Sequence, residues 1–357
     1  MSEKMKLGEI CNFINGRAFK PSEWDKKGLP IVRIQNLNDE NAEFNFCSKA
    51  IEDKYIIEDN QLLFSWSGTP GTSFGAFFWN RGKAVLNQHI FKVIPKININ
   101  IEFLRYLLNG NLDIIISKSH GGVGLQHITK RELEEIIVDI PDDKRQEYVA
   151  KTLNGITKII NTRKEQLKQF DEIIKSQFVE MFERGQYPKD EFINIAKEIY
   201  AGGDKPKDIS KVQDDEYLYP VFANGYENEG LQGYSKSYRT GDNAVTISAR
   251  GTIGYSFIRN EKFTPIVRLI TIIPNEKANI VYLKYAIDNL NIAGSGTSQA
   301  QLTVPDIKKK KITIPPIELQ NKFADIVKQI DKQKFEIESS LKEMQELYEA
   351  LMERYFG

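Results

Sequence analysis

The chain has 357 residues, with 49 basic and 49 acidic side chains and hence a formal net charge of zero. That length provides for two or three domains, each able to bury its own core, and no apolar run approaches the ~20 residues that cross a bilayer. Charge is balanced along the chain too, the largest imbalance being nine acids against six bases in residues 317–357, which argues against a protein that holds nucleic acid by unspecific phosphate contacts alone but leaves room for basic groups local to a cleft.

Residues 1–141 read as a mostly-β domain. Segments 31–34, 61–66 and 84–85 have strand character, and 89–94 alternates cleanly before stopping at Pro95. Residues 67–72 have the composition of a tight turn. A short helix over 101–109 carries Phe103, Leu104, Leu107 and Leu108 on one side. A flexible glycine stretch comes next at 119–124, then a strand at 136–140.

Residues 142–182 read as one long helix. Stepping alternately by four and three from Val149 gives Leu153, Ile156, Ile160, Arg163, Leu167, Phe170, Ile174, Gln177 and Met181, a seam with two polar breaks. Such spacing belongs to a helix packed lengthwise on another. After a linker at 183–190, residues 191–316 repeat the first plan: a strand at 244–248, a turn at 249–254, a strand at 269–273 ending at Pro274, a helix near 282–287 and a glycine loop at 294–299. Residues 317–357 give the second long helix, with the seam Phe323, Val327, Ile330, Lys334, Ile337, Leu341, Met344, Tyr348, Leu351 and Tyr355. Phe323 follows Val149 by 174 residues, as Pro315 follows Pro141, Gln320 follows Gln146, Phe356 follows Phe182 and Thr303 follows Thr129. The chain is therefore a tandem repeat of one domain plus one helix, and each helix finds its partner within the same chain. The expected class is α+β: two mostly-β domains in tandem, separated by two long antiparallel helices forming an intrachain coiled coil.

No catalytic motif emerges. His89, His120 and His127 lack zinc-ligand spacing, and Cys11 and Cys47 lack metal or disulfide spacing, which suits a reducing, cytoplasmic setting. The chain has no GxxxxGK[ST] phosphate loop, no pocket signature for S-adenosylmethionine and no amino-methyltransferase tetrapeptide. Asp142, Asp143 and Lys144 after Pro141 read as a helix start, where acids favour the dipole, rather than a nuclease site. The loops, by contrast, carry groups that read base edges or hold phosphates. These are Arg33, Gln35, Asn36, Ser67, Thr69, Asn87, Gln88 and His89 in the first domain. In the second they are Asn224, Ser248, Arg250, Thr252, Ser298, Gln299 and Gln301. Lys308–Lys311 could meet phosphate or simply be solvated.

In this order, twice, the motifs resemble the specificity subunits of type I restriction-modification systems. They include Leu7-Gly8-Glu9-Ile10, Gly251-Thr252-Ile253-Gly254 and Gly296-Thr297-Ser298-Gln299. The run from Ile312-Thr313-Ile314-Pro315-Pro316 through Ile317-Glu318-Leu319-Gln320 into the last helix completes the set. The first copy departs from the pattern, with Leu125 where Gln299 would align and Asp142-Asp143-Lys144 in place of Pro316-Ile317-Glu318. The resemblance implies two target recognition domains, each reading one half of a bipartite double-stranded DNA site, with a helix pair that sets the spacer. It implies a chain that catalyses nothing itself. Two modification subunits would carry S-adenosylmethionine and adenine methylation, and through them restriction subunits would use ATP with magnesium. The alternatives are a specificity component of a related non-type I methylation or defence system, a coiled-coil adaptor without a DNA role, and a standalone hydrolase or nuclease.

Overall fold

The computed structural model describes residues 2–69, 72–122, 125–290, 292 and 301–357. It divides into two compact units, Met1–Arg163 with Ser340–Gly357, and Lys164–Ser339. The boundary thus falls within both long helices rather than at their ends.

In the first unit an antiparallel sheet runs in the order Cys11–Asn15, Ile90–Pro95, Gln61–Ser65, Gly75–Trp79. Its strand Gln61–Ser65 is buried on both faces. Leu62 and Phe64 enter the main core, while Leu63 on the opposite face joins a smaller cluster with Val32 and Trp79, as the two-residue period of a strand requires. A second sheet has the order Asn45–Cys47, Leu29–Val32, Ala84–Leu86, Ile56–Ile57, and its two middle strands are parallel. Residues 31–34, expected as one strand, stop at Val32. Arg33 then caps the short helix Ile34–Asn38. Residues 123 and 124 of the glycine stretch lie outside the described residues; around them His120–Gly122 and Leu125–His127 pair antiparallel, and the latter pairs with Ser67–Gly68. Both cysteines are buried and free, and burial pushes the Cys11 thiol up to about 12.

The second unit repeats this plan. Its antiparallel sheet runs Ala196–Ala201, Ile270–Pro274, Ala244–Ile247, Ser256–Arg259, the same order as in the first unit. Beside it lie Leu231–Ser235, Tyr219–Phe222 and Thr264–Pro265, the last two parallel. Repeated residues do repeated work. Gln146 accepts from the Asn100 amide at 3.0 Å and donates to the Pro141 carbonyl at 2.9 Å. Gln320 accepts from the Asn279 amide at 2.8 Å and donates to the Pro315 carbonyl at 2.8 Å. Asn100 and Asn279 in turn cap the helices Ile101–Gly110 and Ile280–Asn289. Thr129 with Glu132, and Thr303 with Asp306, form capping boxes.

The central helix is Asp143–Phe178 and the C-terminal helix Ile317–Phe356. In the first unit the start of the central helix packs with the end of the C-terminal one: Val149 and Leu153 are buried in a core lined by Tyr348, Leu351 and Tyr355. In the second unit the end of the central helix meets the start of the other: Ile174 shares a core with Phe323, Val327 and Ile330, and Lys334 pairs with Asp171 at 2.7 Å. The pairing is antiparallel in each. Ile156 and Ile160 are buried, while Leu167, Phe170, Ile337, Leu341 and Met344 are half-buried. The four-three stepping drifts at the far end of the central helix. There Val179–Glu183 form a π-turn, and the widened turn rotates the side chains beyond it. Phe178 and Phe182 fill the core against Phe323, at ring separations of 5.6 and 5.4 Å, in the place that the stepping assigns to Met181, and Met181 is only half-buried. No helix among the described residues is long and apolar enough to cross a membrane.

Candidate nucleic-acid interface

In the first unit the parallel strands Leu29–Val32 and Ala84–Leu86 end side by side, Val32 opposite Leu86. Six of the eight first-domain candidates lie just beyond these ends, on the two segments that leave them. The Asn87 amide donates to the Val32 carbonyl at 3.1 Å and the Gln88 amide to the Arg17 carbonyl at 2.9 Å. His89 comes next in a left-handed conformation, φ 74°. Gly16 makes this approach possible, because a Cβ there would stand 2.0 Å from the Asn87 carbonyl oxygen.

Arg33, Asn87 and His89 each hold one buried polar atom (Nε, Oδ1 and Nδ1) with no partner among the described residues. A buried polar group left so costs about 1–3 kcal/mol, and three such atoms fall on the two segments that leave the strand ends. The Arg33 guanidinium stands 5.6 Å from the Trp24 ring centre, and the His89 ring 4.9 Å from Trp66. Burial, and then the neighbouring His127, hold the His89 pKa below its ordinary value. Gln35 and Gln88 are exposed.

Asn36 requires a correction. It is fully buried, its Oδ1 accepts from the Arg33 amide at 3.0 Å, and its Nδ2 donates to the carbonyls of Ala42 and Glu43 at 3.1 and 3.2 Å. Its amide is consumed in closing a loop and has nothing left for a base. Ser67 is likewise buried, opposite His127 in the small sheet, whereas Thr69 at the following turn is exposed. That sheet brings in residues absent from the sequence-based set. His120 and His127 have ring centres 6.4 Å apart, and His120 Nε2 meets Glu132 Oε1 at 2.5 Å. Glu132 is drawn down to about 2, chiefly by the Thr129 hydroxyl at 2.6 Å and then by His120. Arg17, paired with Glu23 and lying 4.8 Å from the Phe19 ring centre, also flanks the turn. Sequence spacing tests these histidines only as metal ligands. Their clustering becomes visible once the hairpin pairs with Ser67–Gly68.

The second unit builds the same junction. Phe222 stands opposite Pro265 at the parallel strand ends. The Ile266 amide donates to the Phe222 carbonyl at 2.9 Å and the Val267 amide to the Gly203 carbonyl at 2.8 Å. By these two bonds Ile266 and Val267 stand where Asn87 and Gln88 stand in the first unit, which puts Arg268 in the place of His89. Arg268, φ 61°, shares the left-handed conformation of His89, and Val267, φ 52°, is left-handed as well. Both are exposed. Two consecutive non-glycine residues held so, one of them β-branched, store on the order of 1–3 kcal/mol each.

The remaining second-domain candidates divide into supports and surface groups. Asn224 is a clasp: its Nδ2 donates to the Val267 carbonyl and its Oδ1 accepts from the Ala249 amide, both at 2.7 Å. Ser248 is buried, its hydroxyl accepting from the Gly225 amide at 3.1 Å and lying 3.2 Å from the half-buried Thr252 hydroxyl. These two correct the sequence-based set in the same way as Asn36. Arg250 and Gln301 are brought together, Nε and a terminal nitrogen donating to Gln301 Oε1 at 3.0 and 2.7 Å. Ser298 and Gln299 lie outside the described residues. Val267 and Arg268 are absent from the sequence-based set, which drew on loop composition and placed a strand from residue 269. The junction repeats at an offset of 179, as do Asn100 and Asn279, against 174 for the helix seams. Among the described residues no group of three histidines, cysteines or carboxylates could hold a metal ion.

Comparison with known proteins places this architecture. The family profile for the type I restriction modification DNA specificity domain matches residues 2–169 and again 194–347. A Mycoplasma pneumoniae protein named as a type I specificity subunit is 30% identical over 329 residues, 89% of this chain and 86% of the relative. A second protein so named from that organism is 28% identical over 274 residues, 71% of this chain and 80% of the relative. Among solved structures, the type I restriction-modification S subunit from M. genitalium superposes with a TM-score of 0.63 at 14% identity, covering 100% of this chain and 96% of that one. A chain from a study of complex assembly and conformational transition of the type I R-M system gives a TM-score of 0.59 at 15% identity, covering 99% of this chain and 97% of that one.

Proposed function

Because the chain belongs to the type I restriction-modification specificity family, whose work is DNA recognition rather than catalysis, we propose that each of its two domains reads one half of a bipartite site. The observation that carries this reading is the repeated junction. One scaffold of parallel strand ends and a left-handed turn carries Gln88 and His89 in one domain and Val267 and Arg268 in the other. A constant frame with different side chains at its tip suits two recognition tasks on one kind of ligand. Gln35, Thr69 and Gln88 are exposed for base edges or phosphates in the first domain, as are Arg250 and Arg268 in the second.

In this reading the helices Asp143–Phe178 and Ile317–Phe356 set the spacing between half-sites, and their outer faces dock two modification subunits. Tyr148, Ile159, Ile173, Phe335 and Leu347 leave large apolar groups exposed there, Phe335 at 72%, as a helical docking face requires. S-adenosylmethionine then belongs to the modification subunits, and ATP with magnesium to restriction subunits joined through them. The test is selection from random duplex DNA by the chain assembled with its modification subunit. A two-part sequence with a fixed gap is expected, and enrichment of no sequence would refute the proposal.

A further inference from the structure

We infer that Arg268 reads a base, a guanine by its chemistry, in the half-site of the second domain. The inference rests on the proposed DNA-reading role of that domain and names its reader.

Three observations converge on this residue. The first is position. Arg268 follows Ile266 and Val267, whose amide bonds match those of Asn87 and Gln88 before His89, and both Arg268 and His89 are left-handed. The second is enforced strain. Arg268 adopts φ 61° directly after Val267 at φ 52°, a conformation that persists only where surroundings over-determine it. They do so here. The Asn224 side chain holds the Val267 carbonyl at 2.7 Å, and the carbonyls of Gly203 and Gly202 accept from the Val267 and Arg268 amides at 2.8 and 3.0 Å. A Cβ on Gly202 would stand 2.6 Å from the Pro265 carbonyl carbon, so the segment bearing these carbonyls closes on the turn only as glycine. The flanking Ile266 and Leu269 are buried, but the two strained residues between them are exposed. What the arrangement achieves is to fix the direction in which the turn presents its side chains.

The third observation is the guanidinium itself. The other arginines of the second domain are engaged: Arg239 with the Asp204 carbonyl, Arg250 with Gln301, Arg259 with Glu229 and Thr246. Arg268 alone among them has no side-chain partner among the described residues. An exposed guanidinium on a rigid turn presents a planar fork of donors that matches the O6 and N7 acceptors of guanine in the major groove.

The test uses the chain assembled with its modification subunit, selecting from a randomised duplex library, with wild type, Arg268→Ala and Arg268→Lys in parallel. Both variants are expected to lose roughly ten- to hundredfold discrimination at one guanine of one half-site, with the other half-site and the gap unchanged. Arg268→Lys should also keep wild-type affinity for unrelated DNA, because it keeps the charge. If Arg268→Ala weakens all sequences equally while Arg268→Lys keeps full selectivity, the residue is a phosphate contact and the inference fails. Selection of the wild-type sequence by both variants overturns it as well. A wild-type complex that enriches a bipartite site in either case leaves the proposed function standing, whereas one that enriches nothing refutes both.

Discussion

Asn36 and Asn224 both sit in polar loops, and both spend their amides on neighbouring backbone. His89 is the contrasting residue: it is left-handed, stacked edge-on to Trp66, and leaves Nδ1 without a partner among the described residues. Its pKa is lowered from 6.5, first by burial and then by His127. The native state therefore binds the proton less readily than the unfolded chain, so stability is full above pH 6.5 and falls as pH drops through the lowered value. Between pH 7 and 5 the chain should lose stability by at most about 1.4 kcal/mol per pH unit from this group. His89→Asn, which tolerates the left-handed turn, should flatten that slope in denaturant unfolding followed across the range. An equal slope in the variant would show that His89 is not its source. Sequence singled out polar loops but could not separate side chains that clasp backbone from those left exposed. An asparagine that closes a loop and one that meets a ligand have the same composition and differ only in where their amide bonds go.

At the scale of elements much was legible in the sequence, because helix pairs and caps depend on local periodicity. The Gln146 and Gln320 clasps and both Thr capping boxes fall at the single offset of 174. Two features were not legible. The π-turn Val179–Glu183 breaks the four-three stepping and substitutes Phe178 and Phe182 for Met181, and nothing in the periodicity announces a widened turn. Arg268 was not legible either, because the left-handed turn that carries it leaves no mark in composition or periodicity. The seam itself yields a prediction. Asp171 and Lys334 tie residues 166–172 to residues 333–339, so deleting both segments removes one heptad from each helix and preserves their phase. The pair shortens by about 10 Å, close to three base pairs of duplex. Selection or methylation mapping should then show a gap shortened by about that amount, or loss of two-part recognition where rotational phase no longer matches, with each half-site unaltered. An unchanged gap would refute the role of the helices as spacer.

At the scale of the whole molecule, two units share the strand order of one four-stranded sheet and a strand-end junction, and both long helices contribute to each. Duplication explains why frame residues coincide, and divergence at the turns explains why the exposed side chains do not. Zero net charge argues against a chain that holds DNA by phosphate contacts alone. The central claim, one domain for each half-site, is tested most directly by exchange. Residues 191–316 are replaced with the corresponding segment of a relative of different specificity, and methylated positions are mapped across the genome of a host carrying the chain with its modification subunit. One half of the methylated sequence should change to the relative's, while the other half and the gap stay as they were. A change in both halves, or in neither, would contradict the account.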